Sequence, residues 1–286
     1  MDDLKRRYLT QLVELGERDL VLPPREPGPD SGSQTGSPAA TAAVVPGRQP
    51  ADSRPAGPRP DRAASQPPAT GEAELPPLQP GIVAEAPAPG GDLFSADPLR
   101  ALATLEALVP VIEACRKCPL GHSRAHSVPG EGDATAGLVV VGEAPGATED
   151  ETGRPFVGRA GKLLDEILAA IGLRREQVFI CNVLKCRPPG NRTPEPLEVA
   201  ACSPYLHRQL ELIGPRVILA MGLPAAHALL GGHAALGELR LKLHRYRGIP
   251  LIVTYHPAAL LRNPHWKRPT WDDVRHARRI YDGASA

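Results

Sequence analysis

No stretch of this sequence approaches the ~18 consecutive apolar residues that a membrane-spanning helix needs. The first 20 residues, MDDLKRRYLTQLVELGERDL, are charged throughout and lack the apolar centre of a secretory signal. The expectation is therefore a cytoplasmic protein. Net charge is almost missing too: 33 Lys and Arg against 32 Asp and Glu leave +1, so overall charge announces no partner. Aromatic rings are scarce, with three Phe, two Trp and five Tyr. What the total charge hides is its distribution. Residues 1–96 carry 9 basic against 13 acidic side chains, residues 97–286 carry 24 against 19, and from Arg240 onward the count is 10 against 3. A basic C-terminal end is compatible with a polyanion as partner, and equally with ordinary solvated charge.

Proline, by contrast, is concentrated. Of the chain's 34 prolines, 17 fall between Pro23 and Pro89, among Ala, Gly and Ser. Such a stretch cannot bury enough apolar surface to offset its ordering entropy. The reading is a short amphipathic helix over 1–20, with Leu4, Tyr8, Leu12 and Leu15 near one face, then a disordered linker over 21–96 and one folded domain over 97–286.

Inside that domain, near-continuous apolar runs predict four strands at 137–145, 177–186, 216–222 and 249–257. Helical patterns lie at 97–114, 158–172, 194–214, 223–232 and 270–282. Alternation of strand and helix implies an α/β fold with a parallel sheet and helices on both faces. Ligands on such sheets bind beyond the carboxyl ends of the strands.

The first strand runs into GEAPGATEDETGRPFVGRAG, which is not a phosphate loop, having neither Gly-Lys-Ser/Thr nor G-x-G-x-x-G. Glu143, Glu149, Asp150 and Glu151 stand near its mouth, and Phe156 sits in a polar loop. That ring is either a loop plug or a binding platform. The second strand carries Asn182, one amide in an apolar run, capped by backbone or aimed at a ligand. Lys185, Arg187 and Arg192 follow it and either position phosphates or are solvated loop charge. The fourth strand ends in Tyr255-His256-Pro257, and the stretch HPAALLRNP puts leucines on a Pro-bounded loop.

Five cysteines in a reducing compartment point to metal, catalysis or burial rather than disulfides. Cys115 and Cys118 form C-x2-C, and Cys186 and Cys202 are sixteen apart. Two pairs suit a four-thiolate site, and spacing does not separate structural zinc from an iron–sulfur cluster. Cys181, inside the second strand, reads as a buried small hydrophobe.

Taken in order, C-x2-C, GEAPG, EDETGRPFVG, NVLKCRPPGNRTP, a further cysteine and YHPAALLRNP resemble the family 4 uracil-DNA glycosylases, over about residues 97–284. The resemblance implies a three-layer α/β/α sandwich around a mostly parallel four-stranded sheet. It implies a base-excision enzyme that flips uracil out of single- or double-stranded DNA and hydrolyses its N-glycosidic bond. Cys115, Cys118, Cys186 and Cys202 would hold a 4Fe–4S cluster. Phe156 would stack on uracil, Asn182 would read its edge, and Glu149 would crowd C5. Gly142, Glu143 and Ala144 would line the base and sugar, and His256 would donate to the O2 side. Lys185, Arg187, Arg192 and Arg262 would contact DNA, with Leu260 or Leu261 as a wedge from the loop 257–263. The pattern departs from family 1 enzymes, whose turn reads GQDPYH: the place of that aspartate is Ala144. Glu143 is then the substitute carboxylate, and a purely dissociative reaction is the other option. The expected setting is a monomer in a bacterial cytoplasm, bound to the nucleoid through DNA. The alternatives are a glycosylase for other deaminated bases and a non-catalytic iron–sulfur nucleic-acid binder. A third, covalent trapping through a loop histidine, would need a basic His-bearing insertion after NVLKC, which is absent.

Overall fold

The computed structural model describes residues 75–85 and 98–283. The expected helix over 1–20 lies outside them, as does the linker over 21–96 apart from 75–85. Among the described residues no helix is long and apolar enough to cross a membrane.

Four strands occupy the expected places: β3 (Leu138–Gly142), β4 (Phe179–Asn182), β5 (Val217–Met221) and β7 (Ile249–Thr254). They are contiguous and parallel, in the order β7-β5-β3-β4. The four-stranded expectation is nonetheless too small, because the sheet has seven strands. β2 (Glu131–Gly132) adds antiparallel beside β4, β6 (Lys242–Tyr246) adds antiparallel beside β7, and β1 (Gln79–Ala84) pairs parallel with β6 at the edge. β1 corrects the linker boundary as well, since residues read as disordered supply a strand. The reason is local: β6 would otherwise present an open edge, and backbone pairing asks little of the side chains it uses.

The central strands are buried on both faces, which is why they read as continuous apolar runs. Their alternate residues feed two cores. Val139, Val141, Ile218, Ala220, Leu251 and Val253 pack on α5 (Pro196–Ile213) and α6 (Leu223–Leu230). Val140, Ile180, Leu219 and Ile252 pack on α4 (Arg159–Ala170) and α9 (Lys267–Tyr281). The result is the three-layer sandwich. The predicted helix over 97–114 is split into a short turn at Pro98–Ala101 and α1 (Leu105–Ala114), which starts on Thr104 as its cap. α1 joins α5 in a third, smaller core that contains Leu108, Ile112, Cys186, Cys202 and Tyr205.

Candidate active site

A cavity of about 420 Å³ opens at the carboxyl ends of the central strands, lined by residues that follow β3, β4 and β7. It brings together Glu143, Ala144, Glu149, Phe156, Asn182, Arg192, His256 and Arg262. Residues separated by more than 100 positions thus meet because their strands are neighbours with a common direction.

Gly142, at the end of β3, allows the approach. A Cβ there would come within 2.4 Å of Asn182 Oδ1 and 2.5 Å of the Phe156 ring. Asn182 closes β4 and is buried, and its Oδ1 has no hydrogen-bond partner. A buried acceptor without a partner costs about 1–3 kcal/mol, so this one is a debt that a donor-bearing ligand removes. Phe156 is also buried and holds φ of +51°, a left-handed backbone that bulky residues avoid. Its ring stacks with the His256 imidazole, centroids 5.5 Å apart.

His256 begins α8 (Pro257–Arg262), and its Nδ1 accepts from the Ala258 N–H at 3.1 Å. That bond leaves the ring proton on Nε2. Burial, reinforced by the Arg262 charge and only partly opposed by Glu149, pushes its pKa down to about 4. The imidazole is therefore neutral and a donor at physiological pH. Burial pushes the Glu143 carboxyl up from its usual value. Glu149 is engaged structurally: its Oε1 accepts from the Val157 and Gly158 N–H groups at 2.9 and 2.8 Å, closing the turn into α4.

Two expected surface residues are corrected. Lys185 is 1% exposed, and its Nζ donates to Asn182 O at 2.8 Å and Gln209 Oε1 at 2.7 Å. After β4 the chain still bonds to the end of β3, through Val183 N to Gly142 O and Leu184 N to Glu143 O, so the next side chain turns inward. Leu260 is also buried, at 1% exposed, whereas Leu261 is 40% exposed. The segment expected as a loop is a helix, whose pitch separates adjacent side chains by about 100°. The core takes Leu260 and solvent takes Leu261. Arg187 is half-buried against Asn191, and Arg192 is exposed and paired in two-pronged fashion with the buried Glu198.

A family model described as the uracil DNA glycosylase superfamily matches residues 129–275. The chain belongs to that superfamily. It is 52% identical over 168 residues to the type-4 uracil-DNA glycosylase of Pyrobaculum aerophilum, an alignment spanning 56% of this chain and 86% of the relative. Against the type-4 enzyme of Thermotoga maritima it is 46% identical over 167 residues, 56% of this chain and 84% of the relative. The type-5 uracil-DNA glycosylase of Thermus thermophilus is more distant, 34% identical over 53% of this chain and 85% of the relative. The type-4 identities are the higher ones, in line with the family 4 resemblance of the motifs.

For a glycosylase-superfamily chain, the second cavity is as informative as the first. It is a narrow space of about 10 Å³, against 420 Å³ for the first, and Cys115, Cys118, Cys186 and Cys202 all line it. Cys181 does not, being part of the core over α5 and α6. Among the described residues no group of three His, Cys, Asp or Glu closes on one point as ligands of a single ion do. Arg124 Nη1 donates to Cys186 Sγ at 2.8 Å, and the Lys185 N–H donates to Cys202 Sγ at 3.2 Å. Burial pushes the Cys202 thiol up to about 12 and raises that of Cys186. Sequence reasoning missed Arg124, Gln209 and Glu198. Arg124 lies 62 residues from the sulfur it touches, and nothing in its neighbourhood distinguishes it from the other arginines.

Proposed function

We propose that this chain removes uracil from DNA by hydrolysing the bond between the base and deoxyribose, leaving an abasic site. The observation that carries the reading is the partnerless Asn182 Oδ1, buried beside Phe156 in a cavity that also holds a neutral, proton-donating His256. Uracil presents N3–H to that oxygen and O4 to the amide's NH2. Cytosine has no N3–H, so its entry leaves a buried acceptor unpaired, a mismatch that discriminates strongly.

The target base is stacked in a duplex, so the nucleotide must be extruded, at a cost of a few kcal/mol. Leu261, exposed on α8 next to the cavity, fills the vacated stack and offsets part of that cost. Phe156 gives the extruded ring a new stacking surface. Arg192 and Arg262 at the rim and Arg187 behind it contact phosphates, which predicts weaker binding as salt rises. As the glycosidic bond breaks, its electron pair moves onto the base, and His256 Nε2–H donates to O2. One preorganised donor of this kind contributes roughly 3 kcal/mol. Water then attacks the sugar cation. Glu143, whose raised pKa makes it a better base, takes the water's proton, and the uracil anion is protonated on leaving. Glu149 borders the same space, and its assigned role is to crowd C5, where thymine would carry a methyl group.

The donor set of the second cavity suits an iron–sulfur cluster of the 4Fe–4S type. Four cysteines line it, and two N–H donors already point at the sulfurs of Cys186 and Cys202, as cluster-bound thiolates favour. When bound, the group supplies iron–thiolate links joining the end of α1, the segment after β4, and α5. Cys186 and Cys202 would thereby anchor the segment that carries Arg187 and Arg192. Iron and acid-labile sulfide should be present in purified protein and missing from Cys202→Ala, and zinc in their place would overturn the assignment.

The enzymatic test is direct. Purified protein is incubated with an oligonucleotide containing one uracil, and alkali-labile breaks are scored beside Asn182→Ala and cytosine controls. Breaks at uracil, lost in the variant, are expected, and intact oligonucleotide with the wild-type chain refutes the reading.

A further inference from the structure

The backbone that carries Phe156 is held from two sides. Glu149 binds the N–H groups that follow it. The carbonyls at and before it are held by Arg175, from the short turn that leads into β4. Arg175 Nη1 donates to Phe156 O at 2.9 Å, and Nη2 donates to Pro155 O. The guanidinium is 13% exposed and is itself pinned: Nε donates to Glu131 Oε1 at 2.5 Å, and Nη1 also reaches Asp165 Oδ1 at 3.1 Å. Glu131 belongs to β2, so the brace is anchored in the sheet. None of these three side chains lines the base cavity.

The brace meets a real mechanical demand. Phe156 stands at φ +51°, where an unbraced backbone would relax to negative φ and swing the ring away. α4 passes so close to this carbonyl that a Cβ on Gly161 would lie 1.8 Å from Phe156 O. The carbonyl is thus sandwiched between a helix with no side chain to yield and a guanidinium with two donors to give. Lysine, with a single donor point, cannot span two successive carbonyls.

We propose that Arg175, oriented by Glu131, is a positioning residue for base recognition: it holds the strained Phe156 backbone so that the ring meets the extruded base. This rests on the reading of the cavity as the base site. Arg175 touches no substrate atom, so its effect has to pass through the phenyl ring.

A double-mutant cycle tests that route, with steady-state excision kinetics measured on a uracil oligonucleotide for wild type, Arg175→Gln, Phe156→Ala and the pair. Stacking is made before and during reaction alike, so its loss raises KM more than it lowers kcat. Arg175→Gln is expected to raise KM about tenfold, within the range that a lost base–aromatic stack produces. In the Phe156→Ala background the same change is expected to have less than a twofold effect, because the ring it positions is gone. Arg175→Lys should match Arg175→Gln. Equal effects of Arg175→Gln in both backgrounds, or a fall in kcat at unchanged KM, would overturn the proposal. If Arg175→Gln does not fold, Glu131→Gln keeps the guanidinium and frees its anchor, and the same non-additivity, at smaller size, decides the matter. Wild-type protein without uracil excision would sink the base-site reading instead, so the two failures are distinguishable.

Discussion

The base cavity and the cysteine cavity hang from opposite ends of one five-residue stretch, Asn182 to Cys186. The first is open and lined by polar groups, among them a buried oxygen without a partner. The second is bordered by four cysteines together with Lys117, Arg124 and Lys185, and the Cys186 and Cys202 sulfurs already accept N–H bonds. Lys185 serves both, its Nζ on the Asn182 carbonyl and its backbone N–H on Cys202 Sγ. The contrast shows how a fold separates reactivity from rigidity within a few residues. One cavity stores unsatisfied polarity for a ligand that comes and goes. The other gathers four thiols within one small space.

If the division is sound, the largest effect belongs to the donor in the open cavity. His256→Ala should lower kcat for uracil release by roughly 10²–10³-fold, the usual consequence of removing one preorganised donor. It should leave iron content unchanged, so assay and iron analysis on the same sample separate the two cavities. Next comes the cysteine cavity. Cys202→Ala should lose the visible absorption expected of the proposed cluster and lower Tm by at least about 5 °C, since ligation energy is folding energy. Cys181→Ala should keep the iron, and a Cys181→Ala protein without iron would break the division.

The two adjacent leucines give a finer contrast. Leu260→Ala should cost about 2–5 kcal/mol of stability in chemical denaturation, as buried leucines do. Leu261→Ala should change stability by less than about 0.5 kcal/mol. It should slow excision from duplex DNA several-fold while sparing single strands, where no stack has to be replaced. Comparable destabilisation by both would contradict the helical placement of the pair. The last contrast concerns pH. His256 titrates near 6.5 when unfolded and near 4 when folded. Above pH 6.5 both states are neutral there, and stability does not depend on it. Between about 6.5 and 4 the unfolded chain takes up a proton that the folded one refuses, so stability falls as pH falls, then levels off. The kcat profile should therefore cross pH 6.5 without an inflection from this group. NMR titration of the imidazole locates its pKa directly.

Much of the frame was legible in the chain. The four central strands declared themselves because burial on both faces leaves almost only apolar residues, and the helices because one face does. The residues that meet in the first cavity stood out because each breaks its local pattern: an amide in an apolar strand, a phenyl ring in a polar loop, a histidine at a strand end. β1, β2 and β6 did not stand out. They are short or lie at the edge, and backbone pairing stabilises them without demanding a side-chain pattern. Lys185 and Leu260 misled for a related reason, since residue type reports chemical capacity while direction is set by neighbours.

By itself, then, the sequence determined which residue types follow which strand, and so the kinds of chemistry that could gather at one end of the sheet. Tertiary structure alone decided the rest: that Lys185 points inward, that Leu261 and not Leu260 faces solvent, that Arg124 meets Cys186 and Arg175 meets Phe156. Those outcomes depend on contacts between residues far apart in the chain, and local periodicity carries no record of what lies across a fold.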